Sequence, residues 1–226
     1  MLENVEGVIF DLDGTLVDSM WMWQDIDREF LSNYNIKLPD DLQDKLEGMS
    51  FDETANYFKQ RFQLTETIEE IQDIWNTMAW NKYATQVPLK EGAIEFLNYL
   101  KENHIPCGIA SSNSKELIEL VVNKYNLSSY FKTIRNSNEV SKGKPSPDIY
   151  LLVAKELGVN PKHCLVFEDV VQGVQGGKNA NMQVCNVYDK HSYKDQEKLK
   201  RLADYHIRNY HEILNGSFEI CRKEYA

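Results

Sequence analysis

Two aspartates one residue apart, Asp11 and Asp13, follow the apolar run Val8-Ile9-Phe10 and precede Gly14-Thr15-Leu16. Side chains at i and i+2 leave an extended backbone on the same side, so just past a strand end the pair can enter one pocket. Two carboxylates that close repel unless a cation or a shared proton holds them. Mg²⁺ suits such a pair, because it is bound by one or two carboxylates together with substrate phosphate. The chemistry that uses this set is phosphoryl transfer, with one aspartate as nucleophile and the other as acid/base. Asp11 would attack phosphorus. Asp13 would protonate the leaving oxygen and later take a proton from water. A carboxylate meeting a phosphate dianion faces like charge, which Mg²⁺ and a lysine must offset. Thr15 can hydrogen-bond locally to hold Asp13, or serve only as a turn residue. The competing readings are a polar turn and a calcium loop. A calcium loop opened at Asp11 needs a glutamate at its twelfth position, where Met22 stands.

Three further stretches end apolar or constrained backbone in polar groups. Cys107-Gly108-Ile109-Ala110 runs into Ser111-Ser112-Asn113. A serine at a strand end before a helix N-terminus can bind a phosphate oxygen through its hydroxyl and backbone N–H groups, or simply cap the helix that starts near Lys115. In Lys142-Gly143-Lys144-Pro145-Ser146-Pro147-Asp148, Lys142 reads as a solvated lysine, whereas Gly143 and Pro145 fix the backbone around Lys144. Cys164-Leu165-Val166-Phe167 ends in Glu168-Asp169, on a strand too apolar to be an edge.

Taken in order and spacing, these four stretches resemble the signature of the haloacid dehalogenase-like superfamily, in its helical-cap branch around β-phosphoglucomutase and phosphoglycolate phosphatase. The resemblance spans nearly the whole chain. It implies a Rossmann-like α/β core, a parallel sheet sandwiched by helices, with a small helical cap inserted after the first motif. It also implies roles. Ser111 becomes the phosphate-binding group, with Ser112 and Asn113 beside it. Lys144 pairs with the nucleophile and the transferring phosphoryl group. Asp169 becomes a Mg²⁺ ligand together with the Asp11 carboxylate and the Asp13 backbone carbonyl, and Glu168 an outer ligand or water holder. The chain departs from the family pattern after Asp169. Val170 stands for a serine, Gly176-Gly177 for alanines and Asn181 for a glycine. Each glycine costs a helix about 1 kcal/mol, so a softer helix is expected there, while Asn181 can still adopt the left-handed conformation of a cap.

The elements that must position these groups alternate. Candidate strands are Val8–Phe10, Pro106–Ala110, Thr133–Arg135, Cys164–Phe167, Val184–Val187 and Tyr205–Ile207, separated by amphipathic segments such as 93–102, 115–125 and 148–157. This pattern predicts βαβ units and a parallel sheet covered on both faces. Its ligands bind at the carboxyl ends of the strands. Ser146-Pro147 and Asn160-Pro161 each place a capping residue before a proline at a first helical position. From Ser19 to Val87 the pattern is helical only, with capping boxes at Ser50-x-x-Glu53 and Thr67-x-x-Glu70. All four tryptophans lie there. Residues 19–87 therefore read as the cap, and residues 1–18 with 88–226 as the catalytic core. Trp75 and Trp80 are expected in the cap core. Trp21, Trp23, Met49, Ser50 and Phe51 are the candidates for substrate specificity. A closing helix is expected around His211–Lys223.

Composition narrows the class. The 226 residues carry 42% hydrophobic and 27% charged residues with a net charge of −10. That is ordinary for a globular protein and argues against a nucleic-acid partner, which calls for a basic stripe. Cys107, Cys164, Cys185 and Cys221 form no C-x-x-C pair and read as reduced structural residues. The start of the chain lacks the pattern of a signal peptide, and no apolar run matches a membrane span. A cytoplasmic monomer acting on a small phosphorylated metabolite is expected.

The leading function is a Mg²⁺-dependent phosphatase for a sugar or polyol phosphate. A β-phosphoglucomutase-like mutase shares the core residues, but resembles this chain at Gly48-Met49-Ser50 only to place an arginine next, where Phe51 stands. It also has a cap histidine, where Trp21, Met22 and Trp23 occur instead. A phenylalanine cannot hold a second phosphate as an arginine fork does. Dehalogenase relatives lack the second acid, present here as Asp13. A Schiff-base phosphonatase needs a placed cap lysine, and nothing singles out Lys37, Lys45, Lys59 or Lys82. A catalytically silent binding or regulatory protein would be suggested by loss of Asp11, Asp13, Lys144 or Asp169, all of which are present.

Overall fold

The computed structural model describes residues 1–46 and 48–221. Among them, one seven-stranded sheet has the order β3-β2-β1-β4-β5-β6-β7, with β1 Gly7–Phe10, β2 Cys107–Ser111, β3 Phe131–Asn136, β4 Cys164–Glu168, β5 Gln183–Val187, β6 Tyr205–Ile207 and β7 Glu219–Ile220. The pairs from β3 through to β6 are parallel and only β7 runs antiparallel. The first six strands thus follow the Rossmann order, in which the strand sequence reverses at β1 and opens a crevice at the carboxyl ends of the strands.

Strand period decides what each face buries. Val8, Phe10, Leu165 and Phe167 point into one apolar cluster, and Ile9, Val166 and Val184 into the other. The first cluster takes in α5 (Ala93–Glu102) and α6 (Lys115–Lys124), and the second α7 (Asp148–Leu157), α8 (Val171–Asn179) and α9 (Gln196–Leu202). Directly below the crevice, Phe10 stacks on Phe167 at 5.1 Å, and Phe96 and Tyr210 pack around the pair. Offset-stacked and edge-on rings add a little beyond area burial. This plug holds the ends of β1 and β4 in one place.

Between β1 and α5 lie α1 (Met20–Ser32), α2 (Leu42–Leu46), α3 (Phe51–Phe62) and α4 (Ile68–Thr85). Both expected capping boxes are present: Ser50 with Glu53 starts α3, and Thr67 with Glu70 starts α4. Trp75 sits at the centre of this helical group, ringed by Phe30, Phe51 and Phe58. The chain leaves and re-enters the sheet domain through adjacent backbone, with the Asp18 N–H donating to the Pro88 carbonyl at 3.0 Å.

Three expectations change. Trp80 is 47% exposed rather than core. Five residues after Trp75, it is turned well over 90° away on a helix of 3.6 residues per turn. The closing helix is short: α10 covers only His211–Leu214, and the chain then turns at Gly216 (φ 77°) into β7. The remainder of that expected helix, 222–223, lies outside the described residues. The Ser146-Pro147 start is displaced. The helix begins at Asp148, and the Ser146 hydroxyl donates to the Asp148 carboxylate at 2.7 Å instead of accepting a backbone N–H. The Asn160-Pro161 device caps a single 3-10 turn, Pro161–His163.

Candidate active site

The register Phe10↔Phe167 puts the next residues, Asp11 and Glu168, side by side at the open end of the sheet. The Asp11 N–H donates to the Phe167 carbonyl at 3.1 Å and locks that placement. After Asp11 the chain folds back tightly. The Leu12 carbonyl accepts the N–H groups of Thr15, Leu16 and Val17, and Gly14 turns at φ 76°. A side chain at residue 14 would come within 2.1 Å of Asp169 Oδ2, so only glycine leaves that carboxylate room.

Lys144 enters from the loop before α7. Its Nζ lies 2.6 Å from Asp11 Oδ1 and 2.5 Å from Glu168 Oε1, and all three side chains are buried. The ammonium also sits 5.5 Å above the Tyr150 ring, within reach of a cation–π attraction. Tyr150 donates its hydroxyl to Glu168 Oε1 at 2.5 Å. The glycines of α8 explain this approach. A Cβ at Gly173 would strike the Glu168 carboxylate at 2.1 Å, and one at Gly176 would strike the Tyr150 ring at 2.7 Å. The Gly176 departure from the family pattern therefore makes space for an aromatic ring that supports the site.

Charge is out of balance here. Burial pushes the Asp11 carboxyl up to about 8, against the pull of Lys144 and with Glu168 adding to the rise. Burial, then the Asp11 charge, likewise raises Asp169 well above the usual carboxylate range. Burial works against the Lys144 ammonium, yet the Asp11 and Glu168 carboxylates hold it above its ordinary value. The Lys144 ammonium bonds two of the three carboxylates, Asp11 and Glu168. Glu168 Oε2 and Asp169 Oδ2 are buried without a hydrogen-bond partner. One oxygen from each of Asp11, Glu168 and Asp169 lies within 4.8 Å of the others. Buried acceptors aimed at a common point with unspent negative charge fit a hard divalent cation.

Asp13 stands apart from this acidic set. Its carboxylate meets Ser19 Oγ at 2.5 Å, Asn113 Nδ2 at 2.8 Å, the Tyr83 hydroxyl, and Trp23 Nε1 at 3.5 Å. Thr15 does not reach it: the Thr15 hydroxyl donates to Asp169 Oδ1 at 3.1 Å. The tight turn points Thr15 across to β4 rather than along its own loop.

The structure places the remaining sequence candidates unevenly. Ser111 ends β2, buried, with its hydroxyl accepting the Asn113 N–H at 3.1 Å. Ser112 Oγ turns to Ser137 Oγ at 3.5 Å. Trp23 comes to the site, whereas Trp21 donates to the Asp18 carbonyl at 2.9 Å and lies beneath Lys82. Phe51 packs edge-on against Trp23 and Trp75, and Ser50 is spent on its capping box. Met49 lies half-buried in the preceding loop. Lys142 is exposed, as expected. The four cysteines are free thiols, three of them buried. Sequence reading missed Tyr83, Tyr150 and the Thr15–Asp169 bond. The loss of alanine at Gly176 was the one visible hint of Tyr150.

Among the described residues no helix is long and apolar enough to cross a membrane. Comparison with known proteins agrees with this geometry. The profile of the haloacid dehalogenase-like hydrolases matches residues 8–187. The chain is 33% identical over 214 residues to a bifunctional riboflavin kinase/FMN phosphatase of Arabidopsis thaliana, covering 94% of this chain and 54% of that protein, so it spans about half of that relative. It is 31% identical over 218 residues to a probable pseudouridine-5'-phosphatase of Drosophila melanogaster, covering 91% and 93% of the two chains. A crystal structure of β-phosphoglucomutase from Clostridium difficile shares the fold, with a TM-score of 0.76 at 24% identity over 93% of this chain and 96% of that one. With its four motifs gathered at the reversal point of a Rossmann-ordered sheet, the chain belongs to the haloacid dehalogenase-like hydrolase family.

Proposed function

We propose that the protein is a Mg²⁺-dependent phosphatase that hydrolyses the monoester of a small phosphorylated metabolite, of the sugar or polyol phosphate class, through an aspartyl phosphate. The observation that carries this reading is the buried group of Asp11, Glu168 and Asp169, with Lys144 bonded to the first two and two carboxylate oxygens unpartnered. Asp11 and Asp169, with Glu168 behind them, would hold the ion. When bound, it offsets phosphate charge and polarises the phosphoryl oxygens.

The chain's own groups divide the remaining work. An Asp11 carboxylate oxygen forms the bond to phosphorus as the bond to the leaving oxygen breaks. Lys144, bonded to Asp11 Oδ1 at 2.6 Å, offsets the like charge that would otherwise oppose attack. Asp13 gives its proton to the leaving oxygen and then takes one from the water that hydrolyses the aspartyl phosphate. Ser111, with Ser112 and Asn113 beside it at the end of β2, is the phosphate-side wall. Residues 19–87 act as the cap over a core formed by residues 1–18 and 88 onward. Its aromatic face, Trp23 and Phe51, excludes water and shapes the leaving-group side. Both relatives compared above are named as phosphatases. No arginine stands at Phe51 to receive a second phosphate, which disfavours a mutase.

The test is phosphate release from p-nitrophenyl phosphate and a panel of sugar and polyol phosphates, with Mg²⁺ and with EDTA, for wild type and Asp11→Asn. Release that needs the metal and vanishes in the variant is expected. Folded, Mg²⁺-loaded protein that releases nothing, yet isomerises a sugar 1-phosphate when primed with a bisphosphate, would overturn the reading in favour of a mutase.

A further inference from the structure

Asp13 handles every proton in the proposed reaction, yet the χ2 torsion of an aspartate is broad and roughly two-fold. Left free, its carboxyl would spend much of its time turned away from the leaving oxygen. Here Oδ1 accepts from Ser19 Oγ at 2.5 Å, from the Tyr83 hydroxyl and, at the long distance of 3.5 Å, from Trp23 Nε1, while Oδ2 accepts from Asn113 Nδ2 at 2.8 Å. Asn113 Nδ2 also donates to the Tyr83 oxygen at 2.8 Å. Tyr83 and Asn113 therefore grip opposite oxygens of one carboxylate and are tied to each other. The Ser114 N–H, 2.7 Å from Asn113 Oδ1, sets which way that amide faces.

Tyr83 is itself well fixed. It lies near the end of α4, 0% exposed, with its ring edge-on to Trp23 at 6.1 Å. Its carbonyl accepts Lys124 Nζ from α6 at 2.8 Å, and the same ammonium reaches the Val87 carbonyl at 2.8 Å. This end of the cap helix is thus bolted to the core at the point where the chain re-enters it. Its hydroxyl donates to Asp13 and accepts from Asn113.

We propose that Tyr83 is a positioning residue for the acid/base Asp13: its hydroxyl, locked to Asn113, sets the rotation of the carboxyl so that its proton meets the leaving oxygen. The assignment rests on the phosphatase reading above. It makes the cap a contributor to proton transfer as well as to substrate choice, through a hydroxyl that acts by way of Asp13 and Asn113.

The experiment compares two esters that differ in their need for an acid. p-Nitrophenolate leaves without a proton, and an alkyl alkoxide does not. The alkyl ester is whichever of ribose 5-phosphate, glycerol 3-phosphate and sorbitol 6-phosphate wild type turns over fastest. The quantity read is kcat/KM, which ends at departure of the leaving group. For Tyr83→Phe the loss on the alkyl ester should exceed that on p-nitrophenyl phosphate by about tenfold or more, within the ~10²–10⁴ that general acid catalysis contributes. In an Asp13→Asn background the same substitution should add no further loss on the alkyl ester. Trp23→Phe, which removes the longer bond, should show a smaller split in the same direction and serves if Tyr83→Phe folds poorly. Equal losses on both esters, no loss on either, or an undiminished loss in the Asp13→Asn background would overturn the assignment. Wild type inactive on every ester would overturn the phosphatase reading, and the assignment with it.

Discussion

The carboxyl ends of the central strands and the facing surface of the proposed cap are built from opposite materials. The strand ends are charged and buried, with Asp11, Lys144, Glu168 and Asp169 gathered beside the Phe10–Phe167 stack. The cap face is neutral and aromatic, with Trp23, Phe51 and Tyr83 packed edge to edge. Burying charge costs free energy unless each charge is paired or meets a cation. A rigid strand pair can carry that cost, because its backbone is held by ladder bonds on both sides. A helical group that must admit a leaving group fares better with uncharged donors and ring edges. In the proposed reaction the difference would separate the work, with the core supplying charge for phosphorus and the cap supplying shape and proton control for the leaving oxygen.

If that division holds, an overpacking change on the core side should strike activity hardest. Gly173→Ala places a methyl group on the Glu168 carboxylate and forces it off Lys144 and Tyr150. Turnover should fall on the order of 10²-fold, the scale of losing one preorganised electrostatic contact, with about 1–3 kcal/mol of stability lost to overpacking. Steady-state assay with calorimetry measures both, and near-normal turnover would mean that Glu168 has slack the comparison denies it.

A charged group inside the cap tests the other half. Asp27 on α1 is 6% exposed and bonded by Gln43 Nε2 at 2.7 Å, and burial pushes its carboxyl up to about 7, against the lowering by that bond. Between its unfolded value near 3.8 and about 7, the folded state holds a proton that the unfolded chain has released. Stability contributed by this group is therefore present at low pH and lost as pH rises through that window. Asp27→Asn keeps an acceptor for Gln43 and removes the titration. The variant should gain on the order of 3 kcal/mol over wild type by pH 8 and little near pH 4.5. Denaturant melts across that range read the difference, and parallel pH profiles for the two proteins would reject it. The smallest effect belongs to Ser50→Ala, which removes the α3 capping box. It should lower stability by about 1 kcal/mol and leave substrate preference as in wild type. A changed preference, seen on the same phosphate panel, would return Ser50 to the specificity set.

Much of this was legible from residue order. The Asp11, Lys144 and Asp169 positions could be read because each sits at a strand end or in a constrained loop, where a few neighbours dictate the backbone. The capping boxes at Ser50 and Thr67 were equally local. The helical stretch that carries every tryptophan was visible as a period, but not its interior. Trp80 stands five residues after Trp75, about 140° round the helix, so its outward position was open to reading from the spacing, and it is exposed in the packed molecule. The expected closing helix failed for a local reason that was in plain sight, Asn215-Gly216, with the glycine at φ 77°.

The sequence by itself determined the family, the strand-end chemistry and the order of the sheet's motifs, because period-2 runs and turn residues act over a few positions. Tertiary structure alone decided that Thr15 serves Asp169, 154 residues away, rather than its neighbour Asp13, and that Tyr83, 70 residues on, holds Asp13 in its place. A hydroxyl can bond any acceptor within about 3 Å. Which acceptor that is depends on how helices and sheet pack, and no spacing along the chain records it.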